Sequence, residues 1–122
     1  MKSVAYLAVI FMAWINIAVA GDVAVVNATA FNNGNGTYRF TVTLRHADDG
    51  WKHYADNWEV LTVQGTVLGI RKLLHPHVNE QPFTRSIRSV RIPAGIKEVV
   101  IRGHDKVHKN GGKELKLKLP GR

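Results

Sequence analysis

Cysteine is absent from this 122-residue chain, and its two methionines, Met1 and Met12, both lie within the first twenty positions. Beyond them the chain contains no sulfur. That excludes disulfide staples, iron–sulfur clusters, blue-copper centres and the soft site usual for cuprous ion. Any metal must be held by imidazole, carboxylate, carbonyl or water. Long apolar runs are also missing after position 20, so no later segment is suited to span a bilayer, which takes about 20 apolar residues. Acidic residues are few, 9 against 17 Lys and Arg, for a formal net charge of +8; such a surface favours anionic partners, with solubility the alternative reading because the basic residues are scattered. Enzyme signatures are lacking. Ser86 and Ser89 have no nucleophile-elbow context, and Gly111-Gly112-Lys113 lacks the spacing of a phosphate loop. The neighbouring carboxylates Asp48 and Asp49 are expected to diverge rather than share acid–base work.

The start of the chain has the layout of a secretory signal. Lys2 is followed by a mostly apolar stretch from Val4 to Val19, and Ala18-Val19-Ala20 supplies a small-x-small cleavage pattern. Residues 1–20 are therefore expected to be a cleaved signal peptide, and 21–122 one domain of a periplasmic or secreted protein. An uncleaved anchor is the alternative reading, but Asn16 interrupts the stretch. Export in turn disfavours a nucleic-acid role, despite the charge. Asn27-Ala28-Thr29 and Asn35-Gly36-Thr37 match the glycosylation pattern, which matters only in a eukaryotic secretory pathway.

After position 20, period-two alternation dominates. Tyr38, Phe40, Val42 and Leu44 point one way and Arg39, Thr41, Thr43 and Arg45 the other, the pattern of a half-buried antiparallel strand. Leu115, Leu117 and Leu119 repeat it, and further strands are expected at Asp22 to Phe31, Trp58 to Gln64, Thr66 to Leu73, Phe83 to Ile92 and Lys97 to His104. In the fifth strand Phe83 and Ile87 share a phase that Val90 and Ile92 do not, which predicts a bulge near Arg88 or Ser89. Seven short strands separated by turn signals predict an all-β, immunoglobulin-like antiparallel β-sandwich. Three connections are brief turns; the others, near 47–57, 74–82 and 105–112, are long. Successive connections alternate between the two ends of such a sandwich, so the three long ones share one pole. All six histidines, His46, His53, His75, His77, His104 and His108, fall in or beside them, as do Asp48, Asp49, Asp56, Glu80 and Asp105.

Imidazole is the commonest metal-binding side chain, and His75-Pro76-His77 can turn both rings to one ion from an extended backbone, which the proline favours. With His46, His53 and His108 expected at the same pole, and His104 and Asp105 beside them, a metal site is one reading. Histidines that cap loops of an ion-free pole are the other. Glu80 and Arg85 are candidates to support the site from behind, Glu80 orienting an imidazole and Arg85 holding an anion or Glu80 itself. Their structural alternative is an ion pair clamping the loop over a buried Phe83. Trp51, Tyr54 and Trp58 have the spacing of one face of a short helix, either closing the core or stacking on a ligand.

The stretch His46-Ala-Asp-Asp-Gly-Trp-Lys-His53-Tyr54, with the later Asp105-Lys-Val-His108, remotely resembles the ligand segments of desulfoferrodoxin-type superoxide reductases, which use an immunoglobulin-like fold. The resemblance implies His46, His53 and His108 as equatorial ligands, with Asp105 where that family has its axial cysteine. The first two histidines are one residue further apart than in that family, and the remaining ligand is to be sought in His75 or His77. Without the thiolate, superoxide reduction does not carry over. Over most of residues 21–122 the chain is also similar to small exported bacterial proteins sharing a His75-Pro-His-Val-Asn-Glu-Gln-Pro-Phe-Thr-Arg-Ser86 stretch, a group without an assigned function.

Two functional expectations follow. The first is a periplasmic protein binding a transition metal ion, copper ahead of zinc or iron because nitrogen-rich sites hold it tightest among the divalent ions. A redox-active ion there would handle oxygen species. The second is a non-catalytic binding or assembly module whose basic face, Lys116 and Lys118 included, engages an acidic protein or envelope polymer.

Overall fold

A computed structural model describes residues 22–122; the expected signal segment and its cleavage site lie outside them. Seven strands follow in order: β1 (Ala24–Asn32), β2 (Thr37–Arg45), β3 (Ala55–Leu61), β4 (Val67–Lys72), β5 (Phe83–Arg91), β6 (Glu98–Asp105) and β7 (Leu115–Lys118). Every pairing is antiparallel, and the strands form two sheets, β1-β2-β5 and β4-β3-β6-β7. This is the expected all-β sandwich of immunoglobulin type. No helix occurs among the described residues, and none is therefore long and apolar enough to cross a membrane.

The alternation read in β2 is the alternation that packs. Tyr38, Phe40, Val42 and Leu44 are buried while Arg39 and Arg45 are exposed. From the opposite sheet Trp58, Val60, Val99 and Ile101 meet them in one core. Each such side chain contributes about 1.5–3 kcal/mol on burial, and this takes the place of the missing disulfides. The bulge anticipated in β5 is present: Tyr38 pairs with Val90 and Phe40 with Ile87, so Arg88 and Ser89 together oppose Arg39.

Two local expectations are corrected. β3 begins at Ala55, three residues before Trp58, because the Ala55 amide is held by the Asp48 carboxylate at 3.0 Å and the strand pairs with β6 from Ala55 onward. The aromatic stripe is not helical. Trp58 lies in β3 with its ring fully buried, whereas Trp51 is 67% exposed and meets Tyr54 edge-on at 5.8 Å between centroids.

The parity of the connections holds. Chain crossings after β2, β4 and β6 bring three long loops to one pole, where Asp48 of the first touches His77 of the second and His46 meets Asp105 at the start of the third.

Candidate metal centre

The pole is organised by two buried carboxylates, Asp48 and Asp105. His46 follows β2 directly, its backbone N–H donating to Gln81 Oε1 at 2.9 Å. Its Nδ1 donates to Asp48 Oδ1, since an ionised carboxylate can only accept. That bond directs Nε2 to Asp105. Asp48 also accepts the backbone N–H of Ala55 at 3.0 Å and of His77 at 2.6 Å, while Gln81 Nε2 donates to the His77 carbonyl at 2.8 Å. Burial alone would raise the Asp48 carboxyl. The hydrogen bonds from His46, His77 and Ala55, with the attraction of His46, outweigh burial and hold it below the ordinary carboxylate value.

Asp105 ends β6 and is 0% exposed. Its Oδ1 accepts the backbone N–H groups of Val107 at 2.7 Å and His108 at 2.5 Å, folding the turn that places the His108 ring beside it. Its Oδ2 has no hydrogen-bond partner among the described residues. Around this carboxylate stand three imidazoles. His46 Nε2 is 3.4 Å and His108 Nδ1 3.5 Å from Oδ2, and His53 Nε2 is 3.6 Å from Oδ1. The His53 ring lies 4.9 Å from His46 and 5.0 Å from His108, centroid to centroid.

These nitrogen-to-oxygen distances exceed those of ordinary hydrogen bonds, about 2.7–3.2 Å. They match the edge of a coordination shell: ligands about 2.0–2.1 Å from a tetrahedral ion are about 3.3–3.4 Å apart. A buried carboxylate oxygen with no donor is costly unless a cation or proton neutralises it. The donor set, imidazole nitrogen and carboxylate oxygen, suits a divalent transition metal. The His46 and Asp105 side chains are fully enclosed, while those of His53 and His108 are 23% and 32% exposed, so the cluster opens to solvent on one side.

A second group shares Asp105: the ligand atoms of Asp22, Asp105 and His108 lie within 4.8 Å of one another, as do those of His46, His53 and Asp105. In the sequence Asp22 stands only at the start of an expected strand. Its approach depends on the Gly111-Gly112 pair. A Cβ at Gly112 would stand 1.6 Å from the Val23 carbonyl oxygen, and one at Gly111 3.2 Å from Asp22 Oδ1. The chain ahead of β1 thus runs against a backbone that only glycine leaves open, and Val25 N donates to the Lys113 carbonyl at 2.9 Å.

The other expected site residues stand apart from both groups. His75 is exposed, its ring 4.6 Å from that of His77. His77 stacks on Phe83 at 4.0 Å, and its Nε2 accepts from Arg85 Nη2 at 2.9 Å. Arg85 also pairs with Glu80 at 3.1 Å, so Glu80 and Arg85 support His77 and its loop. Burial first, then the charges of Arg85 and His75, lowers the affinity of His77 for a proton. His104 lies on the outer side of β6, donating from Nδ1 to Asp56 at 2.5 Å. Besides Asp22, two functional side chains escaped sequence reasoning. The sequence marks Asp48 as one of the acids at the pole and as the neighbour of Asp49, and Gln81 only as part of a motif; neither pattern shows that both side chains tie the loops together.

No family model matches the chain, and no solved structure matches it. A protein of Halomicrobium mukohataei named "Putative lipoprotein" is 46% identical over 91 residues, covering 75% of this chain and 44% of that protein. The chain therefore spans less than half the length of this relative.

Proposed function

We propose that this is a cell-envelope protein that binds one divalent transition metal ion at the pole through Asp105, His46 and His53, with His108 and Asp22, the members of the adjoining group on Asp105, closing on the same ion. The observation that carries the reading is Oδ2 of buried Asp105, which has no hydrogen-bond donor among the described residues and is flanked by His46 Nε2 and His108 Nδ1 at coordination-edge distances. Asp48 supports it from behind, since a carboxylate bound to the far nitrogen of an imidazole fixes its tautomer and raises its basicity as a ligand. A bound ion would supply Lewis acidity or one-electron chemistry on the side left open by His53 and His108. Copper(II) is the ion such a site holds tightest among the divalent metals. The envelope location is supported by the signal-like first twenty residues and by the name of the Halomicrobium relative.

Metal uptake tests the reading. Purified protein dialysed against copper(II), then buffer, is expected to retain one ion per chain. A His75→Ala/His77→Ala double variant should retain the same amount, and a His46→Ala/His108→Ala variant that still folds by circular dichroism should retain none. Equal retention by both double variants would reject the ligand set.

A further inference from the structure

The two sheets differ in charge in a way the total of +8 conceals. The strands of the β1-β2-β5 sheet contain five arginines, Arg39, Arg45, Arg85, Arg88 and Arg91, and no lysine, aspartate or glutamate. Strand carboxylates, Asp56, Glu59, Glu98 and Asp105, all lie in the other sheet. Arg85 turns to the pole and pairs with Glu80. The remaining four are exposed, and the ion pairs among the described residues include none of them.

The outer face they occupy is ordered in rows. Thr29 pairs with Thr41 and Thr41 with Ser86; Asn27 pairs with Thr43 and Thr43 with Thr84; Phe31 pairs with Arg39, which faces the bulge at Arg88 and Ser89. The Thr41 and Ser86 hydroxyls are 2.8 Å apart and those of Thr43 and Thr84 2.7 Å, so the hydroxyls are locked in line. Phe31 is 57% exposed, with the Arg39 guanidinium 5.0 Å over its ring. The bulge has a role here. Arg88 and Arg91 are three apart and would otherwise fall on opposite faces; the extra residue turns both outward.

We infer that this face binds a linear acidic polysaccharide. Hydroxyl and amide rows spaced about 4.8 Å across strands and about 6.8 Å along them can exchange hydrogen bonds with sugar hydroxyls. Guanidinium groups pair bidentately with carboxylate or sulfate, which lysine cannot do. Phe31 offers a ring face to the apolar side of a sugar. A membrane surface is the less suited partner: lipid headgroups have no use for ordered hydroxyl rows, and Phe31 and Val26 are the large apolar side chains this face exposes. The site is independent of the metal centre.

Binding of the purified protein to alginate, with neutral dextran and phosphatidylglycerol vesicles as comparisons, tests the inference. Alginate binding is expected at low salt, and an Arg39→Gln/Arg88→Gln variant should bind about tenfold more weakly. A Lys116→Gln/Lys118→Gln variant removes the same charge from the other sheet and should change binding less than about twofold. Thr41→Val/Thr43→Val keeps every charge and should weaken binding about threefold. If the first variant does not fold, Arg45→Gln/Arg91→Gln replaces it with the same expectation. Absence of alginate binding, equal loss in the arginine and lysine variants, or vesicle binding without alginate binding would each overturn the assignment.

Discussion

Asp48 stands behind His46, accepting a hydrogen bond from its Nδ1–H and so turning Nε2 towards Asp105, 3.4 Å away. The same carboxylate gathers amides from β3 and from the loop carrying His77. One residue therefore orients a ligand and fastens two loops.

Asp48→Asn separates these duties. Metal affinity is expected to fall about 10–100-fold, the usual cost of losing a carboxylate behind a histidine ligand. Folding stability without metal should fall by about 1–3 kcal/mol, because two buried amides lose a charged acceptor. Competition titration and urea unfolding read the two effects.

Asp105→Asn should act with opposite signs on the metal-free and metal-bound protein. The amide oxygen can keep the turn bonds to Val107 and His108 while the donorless buried charge disappears, so metal-free stability should hold or rise by about 1 kcal/mol. Copper binding should weaken at least about 100-fold, and the stabilisation by added metal should vanish, as thermal melts with and without copper(II) will show.

His77 gives the fold a pH dependence. Its proton affinity is lowered in the folded state, chiefly by burial, so the unfolded chain binds more protons below the ordinary histidine value of about 6.5. Its contribution is complete above that value and is lost as pH falls. His77→Phe, which preserves the stack on Phe83, should flatten the decline in urea midpoint between about pH 7.5 and about pH 5.5. An unchanged slope would assign the decline to other groups.

Gly112→Ala is expected to destabilise the protein by about 3 kcal/mol or more and to weaken metal binding, because its Cβ cannot coexist with the Val23 carbonyl. Gly34→Ala, at a turn with open space around it, carries only the strain of its positive φ and should leave metal binding unchanged. Melting curves and metal titrations of the two variants compare a local turn with the support of the pole.

Much of the fold was legible because period-two patterning survives in β2, β5 and β7, and the β5 phase break marked its bulge. β1 was less legible. Its bulge between Val25 and Asn27 has no sequence mark in a run of small and apolar residues. Connection parity placed His46, His53, His108 and Asp105 together, since it depends only on the number of crossings. It could not rank histidines within the pole: His75 and His77 share the end, but His75 is exposed beside His77, and His77 faces Arg85 and Phe83. Asp22 was illegible because its place depends on a glycine pair about ninety residues away in sequence.

The most direct measurement is a crystal structure of the copper-loaded protein with anomalous data at the copper edge. One peak is expected within about 2.0–2.3 Å of His46 Nε2, His53 Nε2, His108 Nδ1 and an Asp105 oxygen. A peak at His75 and His77 instead, or none at the pole in protein shown to be folded, would contradict the assignment.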